Sequence, residues 1–521
     1  MRGGGIIWDA LAAARRLNLA ANGDAMPVVG APGATRRAVL TALGAAGVAA
    51  ALPRKARGQG IAPGPVAIVG GGIAGLSALW TLTQAGIDAR LYEARPRMGG
   101  RIWTARPAKA PAIEMGGQLV NDDHADMHAL TKAFGIALID RKAGAHRTMI
   151  LAGGKALPDA RLVAGLRGIA AQIDADSQRL DKDYAAIAAE LDAMSFTGYL
   201  DKHARLMPAP WVRALMEQTA RTEYGCEPDE ASAIELVFNL PSVDGRRVEV
   251  LSNSDERYLI AGGSGALIDA MAERLRNRIT TGAKVARIDP FGGGVRLVFA
   301  DGRTTDASDV IVATPAGITR AIDFRVALPP LWTRFIAEVG LGKCEKVQAV
   351  MAARPWEASV GRGGELWETR AAPMALGWDA GIRPGTGPGS IWTWFLGGQQ
   401  VNDAAGQTGH MLARRFAAQV ERAIPGMAAA TREGRRTNWC GDPMTMGAYV
   451  NFRPGQLTTF GGLIWSESDG VASSPLGAGP VHFAGEHLSD AYPGYMNGGA
   501  QTGRLAAQTV IAARVPARRF G

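Results

Sequence analysis

Cysteine is scarce in this 521-residue chain. Its three cysteines, Cys226, Cys344 and Cys440, are widely spaced and odd in number, which excludes a disulfide framework and any CxxC metal pattern and makes buried free thiols the expectation. The seven histidines form no HxH or HExxH grouping, so no metal site is expected. Beyond the first sixty residues no run of eighteen or more apolar residues occurs, so the body is expected to be soluble, without a membrane span. Positive charge is also thinner than the formal +9 suggests. The first sixty residues hold eight Lys/Arg against two Asp, leaving +3 for the rest, too little to argue for a nucleic-acid partner. The remaining composition, 47% hydrophobic and 20% charged, supplies enough apolar material for two domains with substantial cores.

Glycine is abundant, and its placement is informative. In VAIVGGGIAGLSALW, Val66 to Trp80, an apolar β-rich run leads into Gly70-x-Gly72-x-x-Gly75, which opens a helix; the next apolar run ends on Glu93. Each position has a physical task in a βαβ dinucleotide fingerprint. Gly70 permits the tight turn, Gly72 lets the backbone approach a pyrophosphate, and Gly75 lets helix and strand pack closely. The helix N-terminus offers N–H groups and positive dipole to phosphate. Glu93, about 20 residues on, is placed to accept hydrogen bonds from a ribose. Arg95, Arg101 and the Gly99-Gly100 pair then form a basic, backbone-open turn suited to a second approach to a diphosphate.

The strings EARPRMGGRIWT, Glu93 to Thr104, and EMGGQLV, Glu114 to Val120, resemble the flavin amine oxidase family, which includes monoamine, polyamine and L-amino acid oxidases. A third string, FAGEH...GYMNGGAQTG, resembles that family's closing motif, where a helix N-terminus at Gly494-Tyr495-Met496 would stabilise negative charge on a flavin edge. The resemblance covers roughly residues 64–515 and favours FAD over NAD. It implies an α/β (mixed α+β) chain: a Rossmann-like FAD-binding domain of the glutathione-reductase type, interleaved with a substrate domain of mixed sheet flanked by helices. The expected boundaries are 64–145, 250–325 and 451–515 for the first domain, and 146–249 and 326–450 for the second, with the active site at their interface.

Site residues follow from the same resemblance. Gly70, Gly72, Ala74, Gly75, Glu93, Ala94, Arg95, Gly100, Arg101, Gly117, Gln118, Val285, Gly485, Glu486, Tyr495 and Met496 are expected to bind the cofactor. Tyr449 and Tyr495 match the two walls of an aromatic cage that excludes water and steers an amine. Lys346 matches the lysine that holds a water against flavin N5, with neighbouring Lys343 leaving the register open. Ala448 stands where monoamine oxidases carry the cysteine that bonds to flavin, so FAD is expected to be non-covalent. Leu119 stands where the snake-venom type of L-amino acid oxidase carries a carboxylate-binding arginine. An amine without an α-carboxylate is therefore favoured, although Arg221 is a candidate substitute.

The resemblance implies hydride transfer from the amine to flavin, hydrolysis of the imine to a carbonyl plus ammonia or amine, and reduction of O2 to hydrogen peroxide, with an electron-carrier protein as the alternative acceptor. The alternatives are an L-amino acid oxidase or monooxygenase and, from another class, a non-catalytic FAD-binding assembly module. A desaturase of related fold is disfavoured by the paired tyrosines and Lys346. The chain is compatible with a homodimer.

The first sixty residues read differently. Thr35-Arg36-Arg37 opens a modest Ala/Gly-rich apolar run to Leu52, followed by Pro53-Arg54-Lys55 and Arg57. This reads as a twin-arginine signal over residues 1–60, implying recognition by the twin-arginine export machinery and a periplasmic or secreted product. A disordered basic leader on a cytosolic protein is the competing reading, and Met26 is a second candidate start.

Overall fold

In a computed structural model of the chain, the described residues are 64–514, apart from 109–110, 239–241, 245–246, 250–254, 371–373, 382–389, 466, 469–470 and 473–476. The twin-arginine reading falls outside them. The architecture is mixed α/β and is built on two sheets.

The first sheet has six strands in the order Ile279–Thr280, Ala89–Tyr92, Val66–Val69, Asp309–Val312, Val481–Phe483 and Gly477–Ala478. Neighbours among the first five pair in parallel, and the last hairpin is antiparallel. Val66–Val69 and Asp309–Val312 are buried along their whole length, which explains why Val66–Val69 and Val310–Val312 are continuous apolar runs rather than alternating ones. Helix Ile73–Gln84 follows the first strand, and helix Met496–Arg514 packs on it. Small residues make that approach close. A Cβ on Gly503 would lie 2.1 Å from the Ala74 carbonyl oxygen, and one on Gly499 would lie 2.8 Å from Ile73 Cγ2. At the far end, the Arg514 guanidinium donates to Asp309 at 2.7 Å, tying the helix terminus back to the sheet.

The second sheet has seven strands: Thr431–Arg436, Cys344–Met351, Ser390–Gly397, Leu376–Asp379, Glu365–Glu368, Thr148–Ala152 and Lys155–Ala156. Its core is dominated by Trp356, Trp392 and Trp394, packed with Phe416 from helix Gly409–Val420. Each such ring removes roughly 150–250 Å² from water, which makes this cluster a large share of the local stability. Helices Asp159–Lys182, Tyr184–Asp192, Phe196–Lys202, Pro210–Thr219 and Ala233–Phe238 make up most of residues 159–238. Between the last two lies a π-helical turn, Ala220–Tyr224. The chain enters the parallel sheet three times, at 66–92, 279–312 and 477–483, so segments distant in sequence meet along one seam.

Candidate active site

One cavity of about 880 Å³ runs along that seam. Its wall includes Gly70, Gly72, Ala74, Glu93, Ala94, Arg95, Gly100 and Arg101 from the first glycine segment, Gly117 and Gln118 from the second, and Val285 from strand Val285–Phe291. Gly485, Glu486, Tyr495 and Met496 contribute from the closing segment, and Lys346 and Tyr449 from the second sheet and the loop after it. Among the expected site residues, Gly75 alone lies off the wall. A Cβ there would fall 2.0 Å from the Gly70 carbonyl oxygen, so its task is close packing of helix on turn.

The glycine segments interlock through backbone. Gly99 N–H donates to the Gly71 carbonyl at 2.8 Å, and Gly100, at φ +55, lies where a Cβ would touch Gly72 Cα at 3.4 Å. A Cβ on Gly117 would fall 2.8 Å from Met496 Cγ, bringing the second segment onto the start of the closing helix. Side chains of the same segments hold the assembly. The Glu93 carboxylate accepts from Gly71 N–H at 2.6 Å and Arg95 N–H at 2.7 Å. Arg95 reaches Asp442 bidentately at 2.9 and 3.0 Å, and Arg101 meets Glu486 at 2.7 Å. Glu486 in turn accepts from Gly494 N–H at 2.8 Å.

Strand Cys344–Met351 settles the lysine register. Lys346 and Gln348 share one face, and both reach the second glycine segment: Lys346 Nζ donates to the Gly116 carbonyl at 2.7 Å, and Gln348 Nε2 to the Glu114 carbonyl at 2.6 Å. Lys343 is exposed. Burial pulls the Lys346 ammonium down to about 8, opposed by Glu114 and Glu256. Its Nζ also lies 5.4 Å from the centre of the Trp378 ring.

Tyr449 donates its hydroxyl to the Thr222 carbonyl on the π-helical turn and accepts from Cys344 Sγ at 3.0 Å. Its ring stands 3.7 Å from where a Gly494 Cβ would be, immediately before Tyr495 in the chain. The Tyr495 ring meets His124 edge-on at 5.1 Å. Burial, with His128 nearby, pushes the His124 imidazole down to about 3, keeping it neutral. Both tyrosines therefore line the cavity with their rings braced from behind.

The thiols and arginines divide by position. Cys344 is buried on the cavity wall and Cys226 is buried, but Cys440 is only half-buried, so the expectation of buried thiols holds for two of three. Arg221, the candidate carboxylate fork, is off the wall and is held by Glu227 at 2.5 Å. Among the described residues, the arginines on the wall are Arg95 and Arg101, each paired with an acid.

A family model described as flavin containing amine oxidoreductase matches residues 73–511, most of the chain. The chain belongs to this family. It is an oxidoreductase of the flavin amine oxidase kind, and the family implies a flavin cofactor. A flavin-containing amine oxidase of Oncorhynchus mykiss is 27% identical over 461 residues, covering 86% of this chain and 85% of the relative. A flavin-containing amine oxidase of Danio rerio is 26% identical over 464 residues, covering 86% of each. Among solved structures, cyclohexylamine oxidase from Brevibacterium oxydans superposes with a TM-score of 0.73 at 24% identity, covering 87% of this chain and 99% of that one. Wild-type putrescine oxidase bound to putrescine gives 0.71 at 21% identity, covering 86% and 99%. These two likenesses establish the shared fold.

The amine oxidoreductase also carries wall residues that its motifs do not mark. Glu223, on the π-helical turn, is pushed up to about 7 by burial, with Glu256 and Glu365 adding like charge. Glu256, at φ +46 in the left-handed region, is raised by burial and then by Glu365. Glu114, which opens the second motif and lies just behind the wall, is raised by burial while Thr104 and Ser264 donate to it at 2.7 and 2.8 Å. No motif surrounds Glu223 or Glu256. For Glu223 the one available signal is an acid on the stretch that follows helix Pro210–Thr219; Glu256 has none.

Proposed function

We propose that this amine oxidoreductase holds FAD non-covalently along the cavity and oxidises an amine that lacks an α-carboxylate. The observation carrying the reading is that one continuous cavity joins an open helix N-terminus to Lys346, Tyr449 and Tyr495. The residues present fit the cofactor. Gly72 caps helix Ile73–Gln84 without any side-chain hydrogen bond, and a Cβ built on it meets nothing within 4 Å, the open cradle a pyrophosphate requires. In this reading Glu93 keeps lone pairs for a ribose beyond the two backbone donors it already accepts, in a Rossmann-like arrangement of the first sheet. The half-buried Cys440 lies off the wall and Ala448 lies on it, which supports non-covalent binding. Burial pushes the thiol of Cys344, the cysteine on the wall, far up, leaving it un-ionised and a poor nucleophile.

The chemistry supplied by bound FAD is two-electron acceptance: hydride from the carbon beside nitrogen, with oxygen or a carrier protein as final acceptor. The protein's own groups do the rest. Tyr449, tethered to the Thr222 carbonyl, and Tyr495, braced on His124, present ring faces that exclude water and favour the uncharged amine. Lys346 holds a proton and orients water, with the Gly116 carbonyl fixing its reach. The imine product hydrolyses to a carbonyl plus ammonia or a smaller amine. Both wall arginines are committed to acids, which supports a substrate without a carboxylate. Export through the twin-arginine route belongs to the same proposal, since a cofactor inserted before export requires a folded cargo.

Anaerobic mixing of the purified holoprotein with a panel of primary, secondary and poly-amines and amino acids tests the reading. Bleaching of the flavin by amines is expected; bleaching by amino acids alone would overturn the substrate class.

A further inference from the structure

The cavity wall carries two carboxylates, Glu223 and Glu256, that no step above uses. Both approach the reacting end. Glu223 follows Thr222, whose carbonyl tethers Tyr449, and Glu256 is close enough to Lys346 to oppose the loss of its proton. Like charge between the two disfavours ionising both, so the pair is costly to bury empty.

Arg141, Lys142 and Lys346 favour the charged form of Glu256 through space, but none of them bonds to its carboxylate. Arg141 spends its guanidinium on the Glu256 and Gly363 carbonyls at 2.9 and 3.0 Å. Lys142 donates to the Asp255 carbonyl at 2.8 Å, and Lys346 to the Gly116 carbonyl at 2.7 Å. Among the described residues no ion pair reaches Glu223 or Glu256, and no hydrogen bond reaches the carboxylate of Glu256, which is half-buried on the cavity wall. Glu223 takes only a 3.3 Å contact from the neighbouring Thr222 hydroxyl. An unpartnered carboxylate beside a second one, opening into a substrate cavity, has the chemistry to take a cation.

We propose that Glu223 and Glu256 form an acidic subsite that holds a second ammonium group of the substrate, so that this enzyme prefers diamines or polyamines to monoamines of matching chain length. The inference rests on the proposed amine oxidation and deepens it. The amine to be oxidised lies between the tyrosines, and the distal ammonium donates to the two carboxylates, an interaction worth more than a neutral hydrogen bond.

Anaerobic stopped-flow reduction of the holoenzyme by putrescine, spermidine and n-butylamine reads this out. The apparent affinity for the diamine is expected to exceed that for n-butylamine by roughly tenfold or more, the scale of a charge-assisted hydrogen bond. In Glu223→Gln and Glu256→Gln, checked for an unchanged bound-flavin spectrum, that ratio falls toward one. A binding measurement independent of turnover accompanies it: a bis-quaternary ammonium alkane should raise the melting temperature of the wild-type holoenzyme at lower concentration than its mono-quaternary counterpart, and the difference should vanish in the double Gln variant. Bleaching by monoamines with no diamine preference in the wild type, or a ratio unmoved by both substitutions, overturns the subsite alone. No bleaching by any amine overturns the proposed function itself.

Discussion

At the scale of single residues, the cavity separates side chains that hold the fold from those free to do chemistry. Glu93, Arg95, Arg101 and Glu486 make hydrogen bonds within the protein, so part of their value is to fix the glycine loops in place. Gly72 does the opposite, contributing space. We expect Gly72→Val to leave the melting temperature of the apoprotein almost unchanged, since its φ is −75° and nothing lies within 4 Å of its Cβ direction, while FAD affinity falls at least about tenfold. Differential scanning fluorimetry paired with FAD titration separates the two effects. Lys346 supplies a pH-dependent prediction. With its pKa lowered to about 8, the ammonium is present below that value and lost above it, so reoxidation of reduced flavin by oxygen should slow as pH rises through about 8. In Lys346→Met, reoxidation is expected to be slow at all pH values, with that titration gone; a wild-type profile in the variant would remove the lysine from this role.

Secondary-structure elements meet here through what their residues lack. Helices Ile73–Gln84 and Met496–Arg514 cross closely because Ala74 faces Gly499 and Gly503, leaving backbone nearly in contact with backbone. A larger side chain at position 503 must push the helices apart. Gly503→Leu should therefore destabilise the protein by about 1–3 kcal/mol through overpacking and weaken FAD retention in parallel, because the same displacement moves Met496 and Tyr495. Urea unfolding and flavin absorbance after gel filtration measure both, and loss of stability with full flavin retention would argue that the two ends of the helix are uncoupled. Strand Cys344–Met351 shows the other side of element-level control. Its alternation places Lys346 inward while Lys343, just before the strand, remains in solvent.

For the molecule as a whole, three visits to one parallel sheet and a second sheet with a tryptophan core create a single long cavity between them. Among the described residues no helix is long and apolar enough to cross a membrane. The arginine pair Arg36-Arg37 lies ahead of this body, and replacing both with lysine is expected to retain active, flavin-loaded protein in the cytoplasm; fractionation followed by flavin fluorescence of each compartment checks it. Equal export of the variant would count against the twin-arginine route.

The glycine-bearing side of the cavity is written in local pattern. Gly70, Gly72, Gly75 and Glu93 act within one strand-turn-helix-strand unit, where each residue's steric or charge requirement is met by near neighbours, so spacing alone reveals them. The C-terminal strand and helix are likewise legible from an apolar run, a glycine exit and helical periodicity. The side that carries Glu223, Glu256 and Lys346 is not local. Glu223 and Glu256 are two acids among 48, and only the meeting of a π-helical turn with a segment 33 positions away brings their charges together. The register of Lys346 over Lys343, the capture of Arg221 by Glu227 and the support of Tyr495 by His124 are decided the same way. Motif spacing records what a backbone must do to its own neighbours, whereas the charge and shape of a substrate pocket depend on which distant elements pack together, and that is fixed only when the hydrophobic cores form.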